Sequence, residues 1–297
     1  MRLPGRLRRS LSGSALNMWS LRTMNLSRSA LKRIHWLVGT VTAPLRPGNV
    51  VLFHLARSGS SVLADLMNQN PKVLWGGEIF HGFPGQREAA MAKLKRCQAY
   101  AGHRFYGFDA QLYQIRRIGY EFPEFVTELK GHGVTHFAML RRRNLVRLVV
   151  SALNARQSGV WQNKGRAGGD RKGIEIDIDH AMLQFLDSDQ EREAVLREKG
   201  DHDVSLLGWL GYLEEGYESL AATLASERSL FLDFEGDIEA DPGRAYRKFC
   251  DFLQIPLAKV APRLSRTTPF ELADIVSNFD ELGARLAGTR YEWMLAK

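Results

Sequence analysis

The first sustained apolar run lies at residues 49–54, where Val50, Val51, Leu52 and Phe53 follow one another without a polar break. Small and polar side chains fill 56–61, and Val62, Leu63, Leu66 and Met67 then recur at helical spacing. Together these predict a buried strand, a tight turn and a helix. Further short apolar runs predict strands at 73–75, 104–108, 135–140 and 229–234. Helical patterns between and after them cover 86–100, 121–131, 144–157, 179–198, 204–225 and 241–253. Strands alternating with helices predict an α/β fold with a mostly parallel central sheet and helices on both faces. In such sheets ligands bind beyond the carboxyl ends of the strands, so the residues that follow each strand are the first candidates for chemistry.

Three segments depart from this alternation. Residues 158–173 carry five glycines and a net charge of +3, which reads as a basic loop, whereas 175–203 holds ten acids against three bases and reads as a solvated helix. Residues 1–49 contain nine basic side chains and no acid, the first carboxylate being Asp65. The formal charge of +8 over 297 residues therefore resolves into a basic extension, residues 1–48, and a nearly neutral domain, residues 49–297, that keeps 32 bases against 33 acids. A neutral domain argues against binding nucleic acid through bulk charge. The extension suits a tail, an organelle-targeting segment or a peripheral contact with anionic lipid. Its longest charge-free stretches, 10–21 and 34–45, are too short to span a bilayer. Cys97 and Cys250 lie 153 positions apart, which points to buried thiols in a reducing, cytoplasmic setting. The eight histidines are scattered without metal-ligand spacing, so no metal is expected.

Two elements carry candidate chemistry. In the turn after the first strand, Arg57, Ser58, Gly59, Ser60 and Ser61 would let backbone N–H groups approach an anion at a helix N-terminus while Arg57 forks onto its oxygens. The same letters also suit a plain helix cap behind a buried strand. A Walker A loop would need an earlier glycine and a lysine after Gly59, and neither is present. The second element is Arg141, Arg142 and Arg143 at the end of an apolar strand, followed by a helix containing Ser151. Seven residues separate Asn144 from Ser151. That is about 700° of helix rotation, which returns to within about 20° of the same face, so Arg143 and Ser151 could hold one phosphate between them. Taken alone, the arginines also suit a solvated basic end.

The first element, with Arg143 and with Ser151 eight residues on, resembles the two nucleotide signatures of sulfotransferases that use 3′-phosphoadenosine-5′-phosphosulfate (PAPS). The likeness is to the bacterial carbohydrate and glycolipid branch, including nodulation-factor-type enzymes. It continues through 230–252 and 275–295 and so covers the chain from about residue 49 onward. The family's C-terminal glycine-rich nucleotide motif is not recognisable. This resemblance implies a P-loop-like sulfotransferase fold, a 5′-phosphosulfate held at Arg57 and Ser58–Ser61, and a 3′-phosphate held by Arg143 and Ser151. The acceptor would be a hydroxylated carbohydrate or a lipid-linked molecule, and the donor chemistry needs no metal.

Sulfuryl transfer also needs a base for the acceptor's proton. Glu78 follows the second strand and so falls at the ligand-bearing edge; the resemblance implies the same role, and His81 is the reserve. Trp161, Lys164 and Arg166 of the basic loop could meet the acceptor, the tryptophan on a sugar face and the cations on an anionic group. Two other functions compete. A P-loop phosphotransferase would use Asp233 at the end of the last strand to hold Mg²⁺, and a nucleic-acid-binding protein would use the basic extension with Arg141–Arg143.

Overall fold

The computed structural model describes residues 37, 39–161, 173–186, 188–264 and 270–296. Its strands are β1 (Asn49–His54), β2 (Val73–Glu78), β3 (Phe105–Gln111), β4 (Val134–Arg141) and β5 (Ser229–Asp233). The helices, in chain order, are α1 (Ser60–Gln69), α2 (Arg87–Ala99), α3 (Leu112–Ile118), α4 (Phe122–Gly131) and α5 (Leu145–Ser158), then α6 (Asp189–Val204), α7 (Leu206–Leu224), α8 (Pro242–Leu253), α9 (Leu272–Ile275) and α10 (Phe279–Leu286). All five strands run parallel in the order β2-β3-β1-β4-β5, so the fold is α/β, of the Rossmann or P-loop-like kind.

Pleating divides the core. Val51 and Phe53 of β1 pack with α4, α5 and α7 on one face, whereas Val50 and Leu52 pack with α1 and α8 on the other. Only the connection from β1 to β2 crosses the face of α1; the remaining connections between strands lie on the opposite face. Neighbouring β1 and β4 therefore send their chains in opposite directions. The crevice between their carboxyl ends is the topological switch point at which such sheets bind ligands.

Several expectations are corrected. The second strand runs to Glu78 and the third to Gln111, so Glu78 ends β2 instead of following it. The helix expected over 179–198 is a short 3-10 turn, Ala181–Phe185, followed by α6. Ser188 accepts the amide of Glu191 at 3.2 Å and starts the later helix as its cap. Ahead of it, Ile174, Ile176 and Ile178 are buried while Glu175, Asp177 and Asp179 are exposed. This two-residue period makes the stretch extended, and Ile174 bridges Val276 in parallel. Of the two thiols, Cys250 is buried and Cys97 is half-buried. Arg46, counted with the basic extension, is tied to the domain through the carbonyls of Gln98 (2.6 Å) and Gly102 (3.1 Å). Leu37, Val41 and Leu45 are exposed, and among the described residues no helix is long and apolar enough to cross a membrane.

Two glycines place the end of β2. Trp75 pairs with Gly107 on β3 and lies so close over it that a β-carbon there would meet the indole at 2.2 Å. Beyond Trp75 the register shifts before Glu78 pairs with Asp109, with Gly77 at φ 69° in the irregularity. The extra residue turns Glu78 onto the face that carries Trp75 and Asp109. Gly107→Ala should drive Trp75 off the sheet and cost about 1–3 kcal/mol, measured by urea unfolding. Unchanged stability would mean that this close approach is not a constraint.

Candidate functional site

The turn between β1 and α1 is held by side chains from distant parts of the chain. Arg57 adopts a left-handed φ of 66° and Gly59 one of 89°. Buried Ser58 donates its hydroxyl to the Leu55 carbonyl at 2.8 Å, and Arg142 donates to the Arg57 carbonyl at 2.9 Å. Arg142 is itself buried, with its guanidinium 4.6 Å from the centre of the Phe234 ring. Desolvation pulls its pKa down to about 10, while Glu235 acts in the opposite sense. A β-carbon on Gly59 would meet the same Phe234 ring at 2.8 Å. The turn thus rests on one aromatic ring and one buried cation.

The Arg57 side chain reaches across the crevice. Its Nε donates to Ser151 Oγ at 3.1 Å and one terminal nitrogen donates to the Trp161 carbonyl at 2.5 Å. Burial lowers its pKa from the usual arginine value. Ser151, on α5, is buried. The two elements singled out in the sequence therefore meet directly, through Arg57 and Ser151. Arg143 is held differently. The Arg143 and Asn144 amides donate to the Glu235 carboxylate at 3.1 and 2.9 Å, and Arg143 Nε stands 3.7 Å from it with the side chain half exposed. Asn144 begins α5 by accepting the Arg147 amide at 2.9 Å.

Glu78 and Ser61 line one open cleft of about 700 Å³ between α1 and the end of β2, together with Asp65, Asn68, Trp75, Asp109 and Arg263. Glu78 is exposed, and its Oε2 accepts from Gln114 at 3.2 Å. Asp109 is buried; Trp75 Nε1 donates to its Oδ2 at 3.1 Å, and its Oδ1 has no hydrogen-bond partner. Desolvation pushes its pKa up to about 7, with the Trp75 bond opposing and the Glu78 charge assisting. On the same face, register places His54 beside Gln111, both buried, with His54 Nε2 also unpartnered. Burial lowers the His54 pKa, against the Leu55 carbonyl and Glu78.

His81 stands apart, exposed and lining a separate hollow with Tyr113, Gln114 and Arg117. Trp161 contributes its carbonyl, while its side chain is exposed. Lys164 and Arg166 lie outside the described residues. Glu235 and Asp109 at this edge escaped sequence reasoning, and Arg142 entered it only as one of an arginine triplet. For Asp109 a signal existed, a carboxylate set in the otherwise largely apolar run 105–110.

Asp109 makes stability depend on pH. With a folded pKa near 7 against 3.8 in the open chain, the native state holds the proton through that interval. Its contribution is fully present below about pH 4 and is lost as pH rises through 7. Asp109→Asn, which cannot ionise, should therefore gain on the wild type between pH 4 and 8 by an amount on the order of 2–4 kcal/mol, read from urea unfolding across that range. A pH-independent difference would contradict the assignment. No known family model matches the chain, and no curated protein does.

Proposed function

We propose that this protein transfers the sulfuryl group of PAPS to a hydroxyl of a carbohydrate or lipid-linked acceptor. The observation that carries this reading is the contact of Arg57 with Ser151 across the crevice between β1 and β4. It joins the two sequence elements that resemble a PAPS site at the place where parallel sheets bind ligands.

The acceptor oxygen forms a bond to sulfur while the bond from sulfur to the 5′-phosphate oxygen breaks, releasing 3′-phosphoadenosine-5′-phosphate. The acceptor's proton passes to Glu78. Arg57 and the first amides of α1, which have no acceptor within their own helix, stabilise the charge that develops on the leaving phosphate. Ser151 accepts from Arg57 and keeps its own hydroxyl hydrogen for a phosphate oxygen. Arg143 serves the 3′-phosphate from the start of α5. Ser61 belongs to both the turn and the cleft that holds Glu78, so donor and base share one border. The competing phosphotransferase is disfavoured because Asp233, its candidate Mg²⁺ ligand, is paired with Arg141 at 3.3 Å. A nucleic-acid-binding reading is disfavoured because Arg142 is buried within the turn and Arg141 is paired with Asp233.

Thermal unfolding in the presence of 3′-phosphoadenosine-5′-phosphate, ATP with Mg²⁺, or duplex DNA separates these functions. Ligand at 100 times its Kd should add about 2.7 kcal/mol and raise the Tm by several degrees. A shift with the bisphosphate alone is expected; a shift only with ATP and Mg²⁺, or only with DNA, would overturn the proposal. Glu78→Gln should keep that shift while slowing sulfuryl transfer by about 10²–10⁴-fold.

A further inference from the structure

The cleft beside the turn has a charge pattern that bears on what enters it. Of its carboxylates, Asp65 is already engaged: its Oδ2 accepts from Gln69 at 3.1 Å and from the Arg263 amide at 3.0 Å, and the Arg263 guanidinium stands 4.0 Å from Oδ1. Arg263 is the one cation among the described lining residues; its side chain is largely exposed and its guanidinium stands at the edge of contact with Asp65. Glu78 and Asp109 remain, directly opposite each other in the register of β2 and β3, with an amide donor on the first and an indole donor on the second. Asp109 is 4% exposed, lines the cleft, and leaves its Oδ1 without a hydrogen-bond partner. A buried polar atom in that state calls for a partner that the protein itself does not supply. The other polar groups in the lining, Ser61 and Asn68, are neutral donors and acceptors.

We infer that this cleft is the acceptor site and selects an uncharged, polyhydroxylated molecule, with Glu78 and Asp109 both meeting its hydroxyls and together repelling an anion. This rests on the proposed sulfuryl transfer for the word acceptor, and on the cleft alone for the chemical class. A carboxylate accepts from hydroxyls and a carboxyl both donates and accepts, so two adjacent carboxyl groups suit neighbouring hydroxyls on one ring. Above about pH 7, where Asp109 ionises, a carboxylate, sulfate or phosphate placed there would face two like charges, while the one cation among the described lining residues, Arg263, stands beside Asp65. The consequence runs against the anionic acceptor suggested by Lys164 and Arg166 of the basic loop.

Trp75 supplies the readout, because its indole N–H is bonded to Asp109. Its cross-peak in ¹H–¹⁵N spectra, identified with Trp75→Phe, is followed at pH 8 during titration with neutral methyl hexosides and methyl N-acetylhexosaminides. A second titration uses the matching methyl hexuronides. Both are run with and without 3′-phosphoadenosine-5′-phosphate. Neutral glycosides should shift the Trp75 signal, and hexuronides should bind at least about tenfold more weakly. Glu78→Gln should narrow that difference, and adding Asp109→Asn should narrow it further to about threefold or less, the same spectra reporting that each variant is folded. Hexuronides binding as tightly as neutral glycosides, or neutral glycosides leaving Trp75 unmoved, would overturn the inference. Failure of the donor reading shows separately: the bisphosphate would shift no resonance, while the glycoside titrations still decide what the cleft takes.

Discussion

The hydrogen bond from Arg142 to the Arg57 carbonyl is the constraint on which the carboxyl edge of the sheet depends. It holds a non-glycine residue in a left-handed conformation, which costs about 1–3 kcal/mol unless the surroundings determine it. The surroundings here are unusually complete. Phe234 lies against Arg142 on one side and against the backbone of Gly59 on the other, so the turn is clamped between a buried guanidinium and a ring. With its carbonyl fixed, Arg57 sends its side chain into the crevice, where Ser151 and the Trp161 carbonyl receive it.

Phe234 belongs to a single π-helical turn, Phe234–Ile238, that follows β5 and contributes several of the contacts that steady this edge. Glu235 from the same turn takes the first amides at the start of α5, and Asp237 takes the Asp233 amide at 3.1 Å and Lys248 at 2.7 Å. Residues about 90 positions beyond Arg142 therefore orient both the turn after β1 and the helix bearing Ser151. A carboxylate on those amides also keeps the N-terminus of α5 electrically satisfied while Arg143 stands beside it. On the far side of the sheet order, β2 and β3 contribute a different device, an irregularity that swings Glu78 to the face of Asp109. The proposed donor and acceptor sites thus arise at neighbouring strand ends from separate local causes.

What the sequence made legible follows from the range over which each signal acts. The strand, turn and helix at 49–69 could be read because their apolar periods are local and strong. The pairing of Glu78 with Asp109 could not, since one extra residue in β2 reverses the face and nothing in the letters counts it except two adjacent glycines. Arg142 is indistinguishable from Arg141 and Arg143 in an arginine triplet; its burial is decided by Phe234, far along the chain. The segment 174–178 shows the opposite failure. Its alternation of isoleucine and acid was visible, but a count of charges over 175–203 concealed it under the appearance of a solvated helix. Ser151 was found for its spacing from Arg143, and its contact in the structure is Arg57.

In the proposed donor site Arg57 receives the 5′-phosphate of PAPS and Ser151, in contact with it, the 3′-phosphate, and calorimetric titration with 3′-phosphoadenosine-5′-phosphate tests this most directly. Wild-type protein should bind one equivalent, and Arg57→Lys, which keeps the charge but loses the planar fork, should weaken binding by about 10- to 100-fold. Binding that is absent in the wild type, or equally tight in Arg57→Lys, would contradict the account.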